Sequence, residues 1–398
     1  MEKKIFIALL TCFVLYSAYT QTEKANNYVG QNIVIKSKVL GEKREIQIFL
    51  PTTYTESNSK YPVLFVLHGQ RYFLHAVSLQ KSFVGFRQTP EFIVVGITKT
   101  QSERNRNFSS NSKKFLNFIE HEVIEFVDSN YRASQKRLLF GWAYAGGFTV
   151  QSMIKEPDLF DAYIAASPFP VSEKIAAIDS LLTKHPDFDK SLYFSSDLSE
   201  GAVVEGTVTL NKLLTNKAPS SMSWEYRELN GEEHRSTPYS TLYHGITNYF
   251  RYYPELQFST IEEFKNSGGL DYVYDYYKKR SSQFGFPTDL SDWTMFSLIR
   301  NAIRANDFKY FETFINEFQK TGVIERLRVN RSCLIAEFYL KNKQYNNAIE
   351  LFSLLAEKHP NSERPLYGLS DTYKELQQNQ KAEKFYEKAN ALSKKNSN

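Results

Sequence analysis

Apolar and polar residues alternate over Asn32–Leu40 and again over Arg44–Pro51, with Gly41-Glu42-Lys43 between the two runs. A period of two around a polar turn predicts an antiparallel hairpin with one packed and one wet face. Tyr61–Leu67 (YPVLFVL) and Phe92–Ile97 (FIVVGI) read differently. They are near-continuous apolar runs, as expected of strands covered on both faces of a parallel sheet. From Ser112 to Tyr131, Phe115, Phe118, Ile119, Val123, Phe126 and Val127 recur at helical spacing, which predicts an amphipathic helix. Further strands are predicted at Arg137–Phe140, Ala162–Ala166, Ser191–Ser195 and Ser223–Glu228, and a helix over Gly201–Leu214. Strands alternating with helices imply an α/β fold: a doubly wound, mostly parallel sheet of about eight strands over residues 28–253, with an antiparallel N-terminal edge.

Past Tyr253 the strands stop and helical patterns take over. Tyr339, Ala348, Phe352 and Leu355 match Tyr373, Ala382, Tyr386 and Ala389 at a fixed offset of 34, and Pro360 closes the first unit. The pattern resembles the tetratricopeptide repeat, in which paired helices interlock through small and aromatic residues. It occupies residues 326–395; residues 254–325 read as a helical connector containing a degenerate unit, Leu298–Phe318, with Phe308 near the place of Tyr345. Two clear repeats are few for independent stability. The tail is therefore expected to pack on the α/β domain and to offer its helices to a protein partner.

Composition narrows the function classes. At 398 residues, with 42% hydrophobic and 23% charged positions, the chain has a soluble globular makeup and room for two domains. A net charge of +5 without a dense basic run argues against nucleic acid as a partner. Residues 1–20 combine Glu2-Lys3-Lys4, an apolar run over Ile5–Tyr16 and Ala18-Tyr19-Thr20 before Gln21, the layout of a signal peptide. That run is too short for a comfortable transmembrane span, so a secreted or periplasmic protein is expected. Only Cys333 would remain in the mature chain, which leaves no internal disulfide.

Candidate chemistry centres on Lys136–Val150, reading KRLLFGWAYAGGFTV. A short strand, a tight turn of small residues and an amphipathic segment give the layout of a G-x-S-x-G nucleophile elbow, which lifts a serine above the sheet. Here the five positions are Gly141-Trp142-Ala143-Tyr144-Ala145, so the nucleophile position holds alanine. Such a fold orders nucleophile, acid and histidine along the chain. His234, in the loop after the last predicted strand, stands where the base belongs; Glu200 and then Asp197 are the candidate acids after Ser191–Ser195. Oxyanion donors would be the backbone N–H of Tyr144 and one from Gln70 or Arg71. Arg104 and Arg106, in a loop at the carboxyl end of a central strand, could fork onto a carboxylate or catecholate, with Trp142 beside the same cleft. His68 ends a strand, and His244 falls on a helix with a structural role.

These pieces together resemble the esterase family of α/β-hydrolases that includes esterase D, the ferulic-acid esterases and the enterochelin (siderophore) esterases. The resemblance rests on YPVLFVLHGQRYF at Tyr61–Phe73, ERNRNF at Glu103–Phe108, KFLNFIEHEVIEFVDSNYR at Lys114–Arg132, RLLFGWAYAGGF at Arg137–Phe148, EPDLFDAYIAASP at Glu156–Pro168 and ELNGEEH at Glu228–His234. It implies hydrolysis of carboxylic esters or thioesters without a metal or organic cofactor. Members carry serine where this chain has Ala143 and histidine where it has Trp142; the family base carries over to His234 and the acid to the Glu200 region. Two readings stand: a weakly catalytic or inactive hydrolase-like protein that binds a small ester-like ligand, or a serine ester hydrolase of siderophore or aryl type whose nucleophile has been replaced or lies elsewhere.

Overall fold

The computed structural model describes residues 29–98 and 106–396; the expected signal segment lies outside the described residues. Eight strands form one sheet: β1 (Gln31–Ser37), β2 (Glu42–Phe49), β3 (Tyr61–Leu67), β4 (Ile93–Ile97), β5 (Ala133–Trp142), β6 (Ala162–Ala166), β7 (Ser191–Ser196) and β8 (Ser223–Glu228). Their order is β1-β2-β4-β3-β5-β6-β7-β8. β1 and β2 pair antiparallel, β2 joins β4 antiparallel, and every later pairing is parallel. β3 is hydrogen-bonded to β4 on one side and β5 on the other. The chain therefore reverses its winding direction at the carboxyl ends of β3 and β5, which is where open α/β sheets place their ligands.

The apolar runs of β3 and β4 are buried at every position. Their alternate residues divide between two cores. Val63, Phe65, Leu67 and Leu139 belong to one cluster, while Leu64, Val66, Leu138 and Phe140 belong to the cluster on the other face. The β1 edge is wetter, with Val34 57% exposed. Two helices were not legible in the pattern, Gly69–Gly85 and Ile175–Lys184. The first begins directly at the turn where a loop was expected; its buried side mixes Tyr72, Phe73 and Gln80 with Ala76, Val77 and Phe83, which blurs the apolar stripe. The helix predicted over Ser112–Tyr131 runs from Ser112 to Asn130 with a π turn at Ile119–Ile124.

The helical tail holds three hairpins: Asp292–Arg304 with Phe308–Phe318, Val329–Lys341 with Tyr345–Lys358, and Arg364–Glu375 with Asn379–Asn396. Each turn has one residue at positive φ, namely Asn306, Lys343 and Gln377 at 53°, 59° and 57°. The next residue's N–H closes onto Ala302, Tyr339 or Tyr373 at 2.9 Å in all three. The segment expected to be degenerate is thus a full hairpin, offset by 37 residues from the second, whereas the second and third differ by 34. The helix Gly269–Phe284 docks this tail onto the α/β domain. The Tyr276 hydroxyl donates to the carbonyls of Arg251 and Pro254, Arg280 Nε donates to that of Tyr253, and Phe284 packs against the sheet-side core. No helix among the described residues is long and apolar enough to cross a membrane.

Neighbouring hairpins touch closely at Gly368, where an added Cβ would lie 2.3 Å from the Phe352 ring. Phe352 is fully buried and cannot swing away. Gly368→Ala is expected to destabilise the tail by about 1–2 kcal/mol, the overpacking cost exceeding the roughly 1 kcal/mol gain in helix propensity. Urea unfolding followed by circular dichroism measures this, and an unchanged or raised midpoint would contradict the close packing.

Candidate active site

β5 ends at Trp142 and the next helix begins at Tyr144, so the whole reversal falls on Ala143, at φ 55° and ψ −121°. An L-residue held in such a sparsely populated region costs about 1–3 kcal/mol. The surroundings impose it. The Ala143 N–H donates to the Ala166 carbonyl at 3.0 Å, and its own carbonyl accepts from Gly147 and Phe169 at 2.9 and 3.0 Å. A Cβ at Gly141 would meet the Ala145 carbonyl at 2.3 Å, and one at Gly147 would meet that of Phe169 at 2.2 Å. Ala145, where the elbow pattern has glycine, is fully buried with its methyl in the core. The nucleophile elbow is present in its geometry, with a methyl group at its tip.

The loop after β7 brings Glu200 to the loop after β8. Glu200 Oε1 accepts a hydrogen bond from His234 Nδ1 at 2.5 Å. Its other oxygen accepts from the Asp197 N–H at 2.8 Å and the Ser167 hydroxyl at 2.9 Å. The carboxylate is 3% exposed and the imidazole 46%, so the acid is sequestered while the ring is open to solvent. A carboxylate accepting from Nδ1 fixes the neutral ring in the tautomer that leaves Nε2 with its lone pair, as a general base requires. Asp197 does not take this place. Its carboxylate accepts from the Ser199 amide and hydroxyl, which hold it below the usual carboxylate range. Between the two candidate acids the hydrogen bond to His234 belongs to Glu200.

Ser167 and Thr237 complete the network; at the end of a predicted strand Ser167 reads from the sequence as a cap, and the sequence does not single out Thr237. Ser167 is fully buried with φ 43°, and its hydroxyl lies 2.7 Å from that of Thr237, which in turn donates to the His234 carbonyl at 3.2 Å. Only the approach of the loop after β6 to the loops carrying Glu200 and His234 reveals them; no periodicity marks either residue. His244 lies on the helix Thr237–Tyr249, where its Nδ1 accepts from Arg227 Nη1 at 2.8 Å.

Tyr144 is the first residue of its helix and Gln70 the second of Gly69–Gly85, positions whose N–H groups have no intrahelical acceptor. The Arg71 N–H instead donates to the His68 carbonyl at 2.8 Å. Arg71 is thereby removed as an oxyanion donor, and Gln70 remains. The Arg71 guanidinium lies 6.0 Å from the Trp142 ring centre. Trp142 is engaged with His234: its Nε1 donates to the His234 carbonyl at 2.8 Å, and the two rings lie 4.8 Å apart at 37°. Tyr72 and His68 meet Trp142 edge-on, and Phe108 meets His68 in the same way at 5.2 Å, which brings the Arg106–Phe108 turn beside the cleft. Arg106 is exposed there; Arg104 lies outside the described residues. Among the described residues no group of three His, Cys, Asp or Glu side chains could hold a metal ion.

The family model described as "Putative esterase" matches residues 37–237, just over half of the chain, and a tetratricopeptide repeat model matches residues 363–396. Ferri-bacillibactin esterase BesA of Bacillus subtilis is 26% identical over 157 residues, covering 32% of this chain and 54% of that protein. Uncharacterized protein YbbA of the same organism is 22% identical over 133 residues, 29% of this chain and 53% of its own. The matches thus span about half the length of these curated relatives. Among solved structures, an IroE-like serine hydrolase from Shewanella oneidensis superimposes with a TM-score of 0.55 at 24% identity, over 73% of this chain and 99% of the other. An uncharacterised protein from Capnocytophaga ochracea gives 0.55 at 18% identity, over 90% and 93%. These two likenesses speak for the fold.

The strain at Ala143 is measurable by itself. Ala143→Gly is expected to raise unfolding stability by about 1 kcal/mol, relief at positive φ outweighing the added freedom of the unfolded chain. Chemical denaturation of the two proteins checks this, and a less stable glycine variant would mean the turn is not strained.

Proposed function

Since the chain belongs to the esterase family whose model covers its α/β domain, we propose that it is an exported hydrolase-fold protein that binds an ester-like ligand and acylates weakly or not at all. The observation carrying this reading is the Ala143 methyl at the tip of an otherwise complete elbow. Alanine offers no lone pair to a carbonyl. Among the described residues, two serines near the elbow are engaged elsewhere: the Ser152 hydroxyl is buried and donates to the Phe148 carbonyl at 2.9 Å, and that of Ser167 is engaged by Glu200 and Thr237. Without a nucleophile, oxyanion donors and binding sustain only about 10³–10⁴-fold acceleration over water. Arg71, Arg106 and the ring of Trp142 suit a ligand that is aromatic and anionic, and the name of the relative BesA supports a siderophore-type or aryl ester. The apolar run and cleavage-like residues within 1–20 support export.

The intact pair of Glu200 and His234 favours a second reading, an ester hydrolase that has lost only its nucleophile. Hydrolysis of p-nitrophenyl acetate and a feruloyl ester by the chain and by Ala143→Ser separates the two. The unaltered chain is expected to be near background, and serine to raise turnover by at least about a thousandfold if the acid–base pair is competent. Turnover by the unaltered chain that His234→Ala abolishes would overturn the reading of Ala143. Two inert proteins would leave a binder.

The serine variant also tests the choice of acid. Within the Ala143→Ser background, Glu200→Gln is expected to lower kcat by at least about a hundredfold, because the imidazolium formed in the reaction loses its carboxylate. Asp197→Asn should change kcat by no more than about threefold, about 0.6 kcal/mol. The reverse ranking would assign the acid to Asp197.

A further inference from the structure

On the first helices of the first two tail hairpins, three arginines gather without an acid. Arg300 and Arg304 lie on successive turns of Asp292–Arg304, in line with Trp293 and Phe296, and Arg331 of Val329–Lys341 approaches the same two rings. Trp293 takes two of the cations: the Arg300 and Arg331 guanidinium carbons lie 5.3 and 4.7 Å from its ring centre, and Arg331 is also 5.2 Å from Phe296. Arginines nearby are paired. Arg326 forks onto Asp292, and Arg364 onto Glu337 at 2.8 and 3.0 Å. Those pairs occupy carboxylates from these same two helices. Among the described residues no ion pair or side-chain hydrogen bond joins Arg300, Arg304 or Arg331 to an acid.

Arg300 feels this most. Its Nε is buried with no hydrogen-bond partner. Burial, and then repulsion from Arg304 and Arg331, hold its proton affinity below the usual arginine range. Each cation–π contact returns about 0.5–2 kcal/mol, but an aromatic face leaves the guanidinium N–H fork unused. The cluster remains open: Arg304 is exposed, and Arg300, Arg331 and Trp293 are half-buried.

We propose that this arginine cluster is a docking site for an acidic peptide segment of a partner protein, gripped by Arg300, Arg304 and Arg331 across the first helices of two successive hairpins. Guanidinium forks match carboxylates in a planar, two-bond geometry, and anions there would relieve the mutual repulsion of the three cations. The size of the site favours a short peptide. Three cations on two helices suit two or three side-chain carboxylates, and the chain as a whole has a net charge of only +5, with no basic stripe to follow a nucleic acid backbone. The half-buried Trp293 ring adds an apolar surface for the aliphatic stems of Glu side chains. Repeat arrays expose such extended surfaces on one side of their helices.

The test is fluorescence anisotropy of a labelled, end-capped hexaglutamate peptide with the whole chain. Saturable binding is expected at about 50 mM NaCl and should fade towards about 300 mM as the charges are screened. Arg304→Glu and Arg331→Glu should each weaken binding at least about tenfold, and Arg304→Gln about threefold, in line with the loss of charge-assisted hydrogen bonds. Lys60→Glu, an exposed charge on the α/β domain, should leave it unchanged. Arg304 is solvent-exposed, so its variants should keep the fold, which thermal unfolding verifies. No binding of hexaglutamate, equal weakening by Lys60→Glu, or indifference to both arginine reversals would overturn the proposal. Displacement by an equal concentration of a short oligothymidylate would overturn it too, by showing that the cluster reads negative charge of any kind.

Discussion

Two backbones approach at the elbow more closely than a methyl group permits, and the site is arranged around that contact. Gly141, Gly146 and Gly147 leave room for the carbonyls of Ala145, Ala166 and Phe169, which would otherwise lie between 2.2 and 2.7 Å from a Cβ. The loop after β6 can therefore press on the elbow helix, and its Ala166 carbonyl and Phe169 N–H hold Ala143 by both of its backbone polar groups. A positive φ at a residue other than glycine persists only when its surroundings over-determine it. Here they do: backbone hydrogen bonds hold the turn whatever side chain stands at its tip. The strain belongs to the packing of strand, loop and helix.

The same loop supplies Ser167, which links the elbow to the acid. Glu200 is a nearly buried carboxylate, and a buried charge is tolerable when its lone pairs are satisfied. The Asp197 amide, the Ser167 hydroxyl and the His234 ring provide three donors from three different loops. None of these donors depends on the side chain at position 143. The hydrogen-bonded pair of Glu200 and His234 is thus a structural joint of the carboxyl edge of the sheet. Trp142 strengthens the joint by bonding to the His234 carbonyl and lying against its ring.

What could be read from the sequence followed the strength of local pattern. The fully buried strands β3 and β4 announced themselves as unbroken apolar runs, and the elbow and His234 by their places in the strand order. The choice between Glu200 and Asp197 could not be made, because both follow β7 within one turn and only the third dimension shows which carboxylate faces the histidine. Gln70 and Arg71 were equivalent for a similar reason: the helix beginning at Gly69 ties up the amide of one and frees the other. Ser167 carries no local signal, since its role arises from a loop 33 residues away from Glu200. The first tail hairpin looked degenerate because its spacing is 37 residues, yet its turn residue Asn306 repeats the backbone of Lys343 and Gln377. Turn geometry kept the repeat where side-chain identity had drifted.

The tail solves its own edge problem asymmetrically. A stack of hairpins must cover both ends, because each unit buries its apolar face only against a neighbour. At one end the cover is Gly269–Phe284, whose Tyr276, Arg280 and Phe284 bind it to the α/β domain. At the other, Asn379–Asn396 buries Ala382 and Ala389 and leaves Tyr386 exposed. On a long side of the stack three arginines stand without a carboxylate partner among the described residues. Packing against the α/β domain fixes that side in position relative to the cleft, so whatever docks there is carried together with the Glu200–His234 edge.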